Sequence, residues 1–225
     1  MKKYTQSEID ALIIVEDRKF IRDVDFSNCD LSGLNFYTIK FENANLWNAN
    51  LSDANLSDAN LRNANLSDAN LSDANLRNAN LWNANLRNAN LSDADLSNAN
   101  LWSANLRNAN LSDADLWNAD LSNANLSDAD LSDANLRNAN LSDAKGNMKE
   151  IKSLQLDKWN VVYTKDKMEI GCKLYTIEEW RNFSDDVIDG MHENALVWWH
   201  KWKDYIFMTI AMTEDNKIFT FKEEL

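Results

Sequence analysis

The residues able to do covalent or metal chemistry are few in this chain and poorly placed for it. His192 and His200 are its two histidines, and neither has the Cys, Asp or Glu company at ligand spacing that a zinc site needs. Cys29 and Cys172 lie far apart, with no disulfide framework or metal spacing around them. Serine is abundant but sits in a regular polar context with no base beside it. Carboxylates recur along the chain without a cleft to drive their pKa values apart. The 4 glycines are too dispersed for a phosphate-cradling loop. No catalytic residue, cofactor-binding residue or metal ligand is therefore assigned, no cofactor is implied, and a non-enzyme is expected. What remains is binding chemistry: 36 acidic against 23 basic side chains, a net charge of −13, and 9 tryptophans.

The element that positions these side chains is a five-residue phrase. It reads small, Asn or Asp, Leu or Phe, variable, Asn or Asp, as in Ala44-Asn45-Leu46-Trp47-Asn48 and Ala49-Asn50-Leu51-Ser52-Asp53. Its centres run unbroken from Phe26, Leu31, Phe36, Phe41 and Leu46 to Leu141, giving 24 copies. A period of five fits neither the i, i+3, i+4 pattern of a helix nor the strict alternation of a strand. Each copy reads instead as a short extended piece with two inward side chains, then a corner. Asn, Asp and Ser suit the corner because they bond to nearby backbone and tolerate turn conformations. One copy cannot bury its Leu alone, whereas stacked copies can. A helix would leave dozens of Asn in its interior, where they are unfavourable.

Residues 24–144 resemble the pentapeptide repeat proteins, whose consensus is A(D/N)LXX. The resemblance implies an all-β, right-handed, four-sided β-helix with four copies per coil, hence about six coils and a rod about 29 Å tall at a strand spacing of ~4.8 Å. Three domains are expected: an N-terminal cap over 1–23, the β-helix over 24–145, and a Trp-rich α+β module over 146–225. Residues 25–145 hold 16 acidic and 7 basic side chains, so −9 of the charge lies on the rod. A surface that neutralises phosphates should be basic, so direct nucleic-acid binding is not expected. A partner with a basic surface is.

With four copies per coil, residues 20 apart stack, and the variable positions sort into four columns. One column is Ser throughout, from Ser32 to Ser132, and its corner column is Gly33, Asp53, Asp73, Asp93, Asp113, Asp133. Five carboxylates would stand in line, with Asp95 and Asp115 close by. Adjacent like charges about 5 Å apart repel by roughly 0.8 kcal/mol in water. Two readings stand: an imitation of a nucleic-acid backbone, or Asp residues that merely cap their own turns. Another column places Arg62, Trp82 and Trp102 in sequence, where indole stacking and a cation–π contact are expected. Residues 48–63 recur almost unchanged at 63–78, a shift that scatters outward side chains over the faces.

A solenoid must cap its ends or expose strand edges. Thr5 with Glu8 is a capping-box pattern opening a helix over 6–12, followed by an irregular strand through Phe20. Past Lys145-Gly146 the composition changes. Residues 148–156, 159–164 and 168–172 read as strands. Thr176 with Glu179 opens a short helix through Phe183, and Ser184 caps another to Met191. A long helix is expected over 193–212, with Ala195, Trp199, Trp202, Ile206 and Ile210 as its apolar stripe, widened by Trp198, Tyr205 and Met212. Trp198, Trp199, Trp202, Tyr205 and Ile206 are candidates for an oligomer or partner surface, with core packing as the other reading. The phrases Ile170-Gly171-Cys172-Lys173, Tyr175-Thr176-Ile177-Glu178-Glu179-Trp180, Ala195-Leu196 and Trp198-Trp199 resemble a module of bacteriophage and prophage proteins.

The four-residue apolar run Leu12 to Val15 is too short for a signal peptide and no transmembrane span is expected, so the cytoplasm is the expected compartment, the host's if the chain is phage-encoded. The expected function is a protein-binding protein. Some members of the resembled family mimic duplex DNA and act on type II topoisomerases as end-to-end dimers, which implies a decoy for a host DNA-binding or defence protein. A homodimer through the C-terminal module, a structural spacer in a larger particle, and a sponge for a small ligand among the C-terminal aromatics are the alternatives.

Overall fold

The computed structural model describes residues 1–15, 23–146, 151–164 and 167–214. Through the repeat, parallel bridges join residues 20 apart, from Asp25 with Asn45 to Asn125 with Lys145. The bonding of one copy shows why the period is five. Leu51 N–H donates to the Asn70 carbonyl at 2.7 Å, Asp53 N–H to Ser72 at 3.0 Å, and Asn70 N–H back to Ala49 at 2.9 Å. Ala54 N–H closes the turn onto the Leu51 carbonyl at 3.1 Å. The third residue of every such turn has positive φ, 57° at Asp53 and 59° at Asn88. Asn and Asp tolerate that region far better than other non-glycine residues, which fixes the corner position of the phrase.

Leu and Ala of each copy point inward, and Leu46 through Leu126 are fully buried. The turn is locked by the residue that opens it: Asn50 Oδ1 accepts Ser52 N–H at 3.2 Å, and Asn55 Oδ1 accepts both the N–H and the hydroxyl of Ser57 at 3.1 and 2.6 Å. The same amides ladder between coils, as Asn70 to Asn50 at 3.2 Å and Asn90 to Asn70 at 3.1 Å.

At the N-terminus, β1 (Lys2–Lys3) pairs in parallel with β2 (Cys29–Asp30). Helix α1 (Gln6–Val15) starts on the Thr5–Glu8 capping box and runs three residues past the expected end. The strand expected through Phe20 falls from 16 onward outside the described residues, and 13–15 are helical. Ile9 is fully buried, and Tyr4 meets Phe26 edge-on at 5.3 Å. The Gln6 amide imitates the missing strand: it accepts from Asn35 N–H at 2.7 Å and donates to the Asn35 carbonyl at 3.2 Å.

After the repeat come β3 (Lys152–Gln155), β4 (Asn160–Tyr163), β5 (Lys167–Ile170) and β6 (Lys173–Thr176), in that order in one sheet. β3 and β4 are antiparallel, and Ile151 and Val162 join the apolar core of the repeat, covering its last coil. Gly146 is required here, because a Cβ would stand 2.2 Å from the Ile151 carbonyl oxygen. The strand β6 was not expected; Gly171, at φ 60°, makes the two-residue connection that turns the chain back after β5.

Three helices follow: α2 (Ile177–Asn182), α3 (Asp185–Asp189) and α4 (Ala195–Glu214). The capping box of Thr176 and Glu179 is complete, whereas Ser184 occupies the cap position of α3 without a side-chain cap bond. The chain divides into two compact units, one of residues 1–164 with 169–173, the other of 165–168 with 174–225. Among the described residues no helix is long and apolar enough to cross a membrane.

Candidate protein-interaction surfaces

The corner aspartates Asp53, Asp73, Asp93, Asp113 and Asp133 are all exposed and stand in one column of the 20-residue register. They do not cap their turns. That bond comes from the residue three places earlier, such as Asn50, Asn70, Asn90 and Asn110, whose Oδ1 accepts the Ser N–H at 3.0–3.2 Å. Positive φ turns the corner side chain away from the backbone it was expected to cap. Among the described residues none of the five carboxylates has a side-chain hydrogen bond or ion pair. Corner aspartates elsewhere do have partners. Asp58 accepts from Asn78 at 3.1 Å, Asp128 lies 3.6 Å from Arg107, and Asp143 accepts from Asn160 at 2.7 Å. Asp68 accepts from Asn88 at 2.8 Å and from the Trp47 indole at 3.0 Å, and these two bonds hold its carboxyl below the usual range.

Asp95 and Asp115, expected to extend the acidic wall, are engaged elsewhere. Asp95 caps the Ser97 turn and lies 3.8 Å from Arg77. Asp115 caps the Trp117 turn and accepts from Asn135 at 2.8 Å. They are half-buried and hydrogen-bonded, so the open wall is the five-residue corner column alone.

The second surface assembles as expected. Trp82 and Trp102 stack with centroids 5.5 Å apart and planes 10° from parallel, and the Arg62 guanidinium lies 4.1 Å over the Trp82 ring. Arg62 also sits 4.0 Å from Glu42 on the preceding coil. Sequence reasoning did not single out Glu42 or Asp68, although their columns held the signal.

The third proposed surface is corrected. Trp198, Trp199 and Ile206 are 6, 4 and 0% exposed and cannot form a partner surface. Aromatic rings of the same unit pack on Trp199. Trp199 lies 5.4 Å from Trp180 and 5.8 Å from Phe207, and the Trp180 indole donates to the Met168 carbonyl at 2.7 Å. Only Trp202, half-buried, and Tyr205, 45% exposed, reach the outside.

Chemistry elsewhere is muted. Cys29 is buried and free, its thiol pushed up by burial, and Cys172 is exposed and free. His200 Nε2 lies 2.9 Å from Asp185, joining α4 to α3. Among the described residues no group of His, Cys, Asp and Glu could hold a metal ion.

The resemblance to known proteins is carried by the repeat. A family model described as "Pentapeptide repeats (8 copies)" matches overlapping segments from 21–58 to 104–143. Nothing among curated proteins matches. Among solved structures, HetL of the cyanobacterium Nostoc sp. PCC 7120, a pentapeptide repeat protein involved in heterocyst differentiation regulation, is 21% identical, with 64% of this chain and 98% of that one covered at a TM-score of 0.36. Full-length QnrB1, a plasmid-mediated fluoroquinolone resistance protein, is 21% identical over 56% of this chain and 76% of its own, at 0.33. A pentapeptide repeat protein of the Arabidopsis thaliana thylakoid lumen is 28% identical over 46% and 74%, at 0.38. The register, the corners and the family match over more than half the residues agree: this chain belongs to the pentapeptide repeat family, whose members fold as right-handed quadrilateral β-helices.

Proposed function

We propose that this chain is a non-enzymatic binding protein whose column Asp53–Asp133 engages the basic DNA-binding surface of a protein partner, in place of DNA. One observation carries the reading: among the described residues the five exposed carboxylates have no side-chain hydrogen bond or ion pair, so the fold itself gives no reason for them. On other corners Asn side chains bond between coils, as Asn48 to Asn28 at 2.8 Å, Asn63 to Asn43 at 3.1 Å and Asn83 to Asn63 at 3.0 Å. Aspartate cannot donate, so this column forgoes those bonds, each worth roughly 1 kcal/mol. Its neighbours also repel across a coil spacing of about 4.8 Å. A local rule broken repeatedly on one exposed line points to function. The smooth Ser column beside it leaves the carboxylates accessible. The resemblance of the C-terminal phrases to a phage module favours a host DNA-binding or defence protein as the partner.

DNA gyrase is the first target to test. The protein should displace duplex DNA from gyrase at low salt and lose that ability as salt rises, since both interactions are electrostatic. No displacement at low salt would remove gyrase as the partner. The second reading, a rigid spacer, draws on the uniform 20-residue register. It requires assembly, which light scattering at high concentration reads directly.

A further inference from the structure

The Glu42–Arg62–Trp82–Trp102 column ends asymmetrically, and its open end has the chemistry of a guanidinium site. Trp82 is covered on one side by Arg62 and on the other by Trp102. Trp102 is 36% exposed, and among the described residues Trp82 is its one ring partner. The next two variable positions in the column are Ser122 and Ser142, too small to continue the stack. Side chains at these positions lean toward the following coil, as Trp47 reaching Asp68 and Arg77 reaching Asp95 show. Trp102 accordingly directs its unstacked side toward the coil of Ser122.

That coil is acidic. Asp120 bridges to Asn100 beneath it and stands two residues before Ser122, with one carboxylate oxygen bonded to the Ser122 N–H and hydroxyl and to Asn140. Asp143 and the buried Glu169 follow; Ser142 donates to Glu169 Oε1, while Oε2 is buried without a hydrogen-bond partner. At the other end of the stack the column solves the same problem for itself: a guanidinium on the indole face, with Glu42 beside it at 4.0 Å.

We propose that the open side of Trp102 receives an arginine side chain of a protein partner, stacked on the indole and paired with Asp120. Arginine fits better than lysine because its planar, weakly hydrated head both stacks and pairs. The site is independent of the aspartate column, which lies on a different corner of the coil.

The test uses the full chain with ¹⁵N-labelled tryptophan indoles, titrated with the blocked tripeptide Gly-Arg-Gly and with its citrulline and lysine counterparts. The expected result is a saturable shift of the Trp102 indole signal with arginine, weaker with lysine and absent with citrulline. Trp47 and Trp117, also exposed but outside the column, should stay still. Asp120→Asn should weaken binding on the order of threefold to fivefold, the scale of one exposed cation–π or ion-pair contact. Equal shifts at Trp102, Trp47 and Trp117, or equal binding of arginine and citrulline, would overturn the proposal. So would a shift produced by a thymidine dinucleotide and not by arginine, which would make Trp102 a base-stacking platform.

Discussion

A single corner residue decides whether a coil bonds to its neighbour or repels it. Asn and Asp share the positive φ that the turn requires, 58° at Asp93 and 59° at Asn88. They differ in that only Asn has protons to donate. Asp93→Asn is therefore accommodated without strain, restores an amide that can donate along the column, and removes a charge with a like neighbour on each side. It should raise stability by about 1 kcal/mol at low ionic strength, and by less at ~1 M salt, where screening shortens the range of the charges to about 3 Å. Denaturant midpoints at the two salt concentrations check this; a midpoint that falls, or a gain that does not change with salt, would contradict it. The column was legible in the sequence once residues were sorted by twenty, a register supplied by the four copies per coil that the family resemblance implies. Which oxygen caps which turn was not legible. Asn50 and Asp53 both flank Ser52, and only the dihedral angles show that Asn50 is the one facing its N–H.

At the scale of elements, the repeat could be read from its period, and the closing sheet could be read except for its last strand. Alternation predicted β3 to β5, but β6, half-buried apart from the exposed Leu174, has no run of β-branched residues, and Gly171 reverses the chain before it. The surface expected on α4 failed for a related reason: an apolar stripe says that a helix face is covered without saying by what, and Trp180 of α2 packs on Trp199 here. Strand β5 also carries the least expected group. Glu169 is 7% exposed, accepts from Ser142, and keeps one oxygen without a partner. Burial pushes its carboxyl above the ordinary value of 4.5; bonds from Ser142 and the Leu141 backbone oppose the shift, and the charges of Asp143 and Asp120 add to it. Because the folded value is raised, the stability tied to this group is complete below the unfolded value and is lost as pH rises through the folded one. Glu169→Gln keeps an oxygen for Ser142 and removes the buried charge. The variant should match the parent near pH 4.5 and exceed it in stability near neutrality, as urea midpoints across that range would reveal. An advantage greatest at acid pH would refute the assignment.

At the scale of the whole molecule, register makes position separable from charge. Each coil is 20 residues and each copy has the same backbone path, so whole copies can be removed without breaking the bridges above and below. Deleting residues 103–112 removes no acidic side chain and one basic one, Arg107. It turns everything after it by half a coil. Asp113 and Asp133 move to the corner of Asn63 and Asn83, Asn123 takes the place above Asp93, and Asp143 falls one coil beyond it, so the unbroken line shrinks from five carboxylates to three. Deleting 103–122 removes Asp113, Asp115 and Asp120 along with Arg107, making the chain less acidic. It is a full coil, however, and Asp133 drops into line above Asp93, leaving four carboxylates in a row. Both deletions leave Trp82 on Trp102. If total negative charge binds the partner, the shorter deletion should compete with DNA better than the longer one. If the line itself is the recognition element, the order reverses: the 20-residue deletion keeps most of the competition and the 10-residue deletion loses most of it. Circular dichroism establishes that both variants remain folded, and the competition assay across a salt series then separates a charged rod from a charged edge.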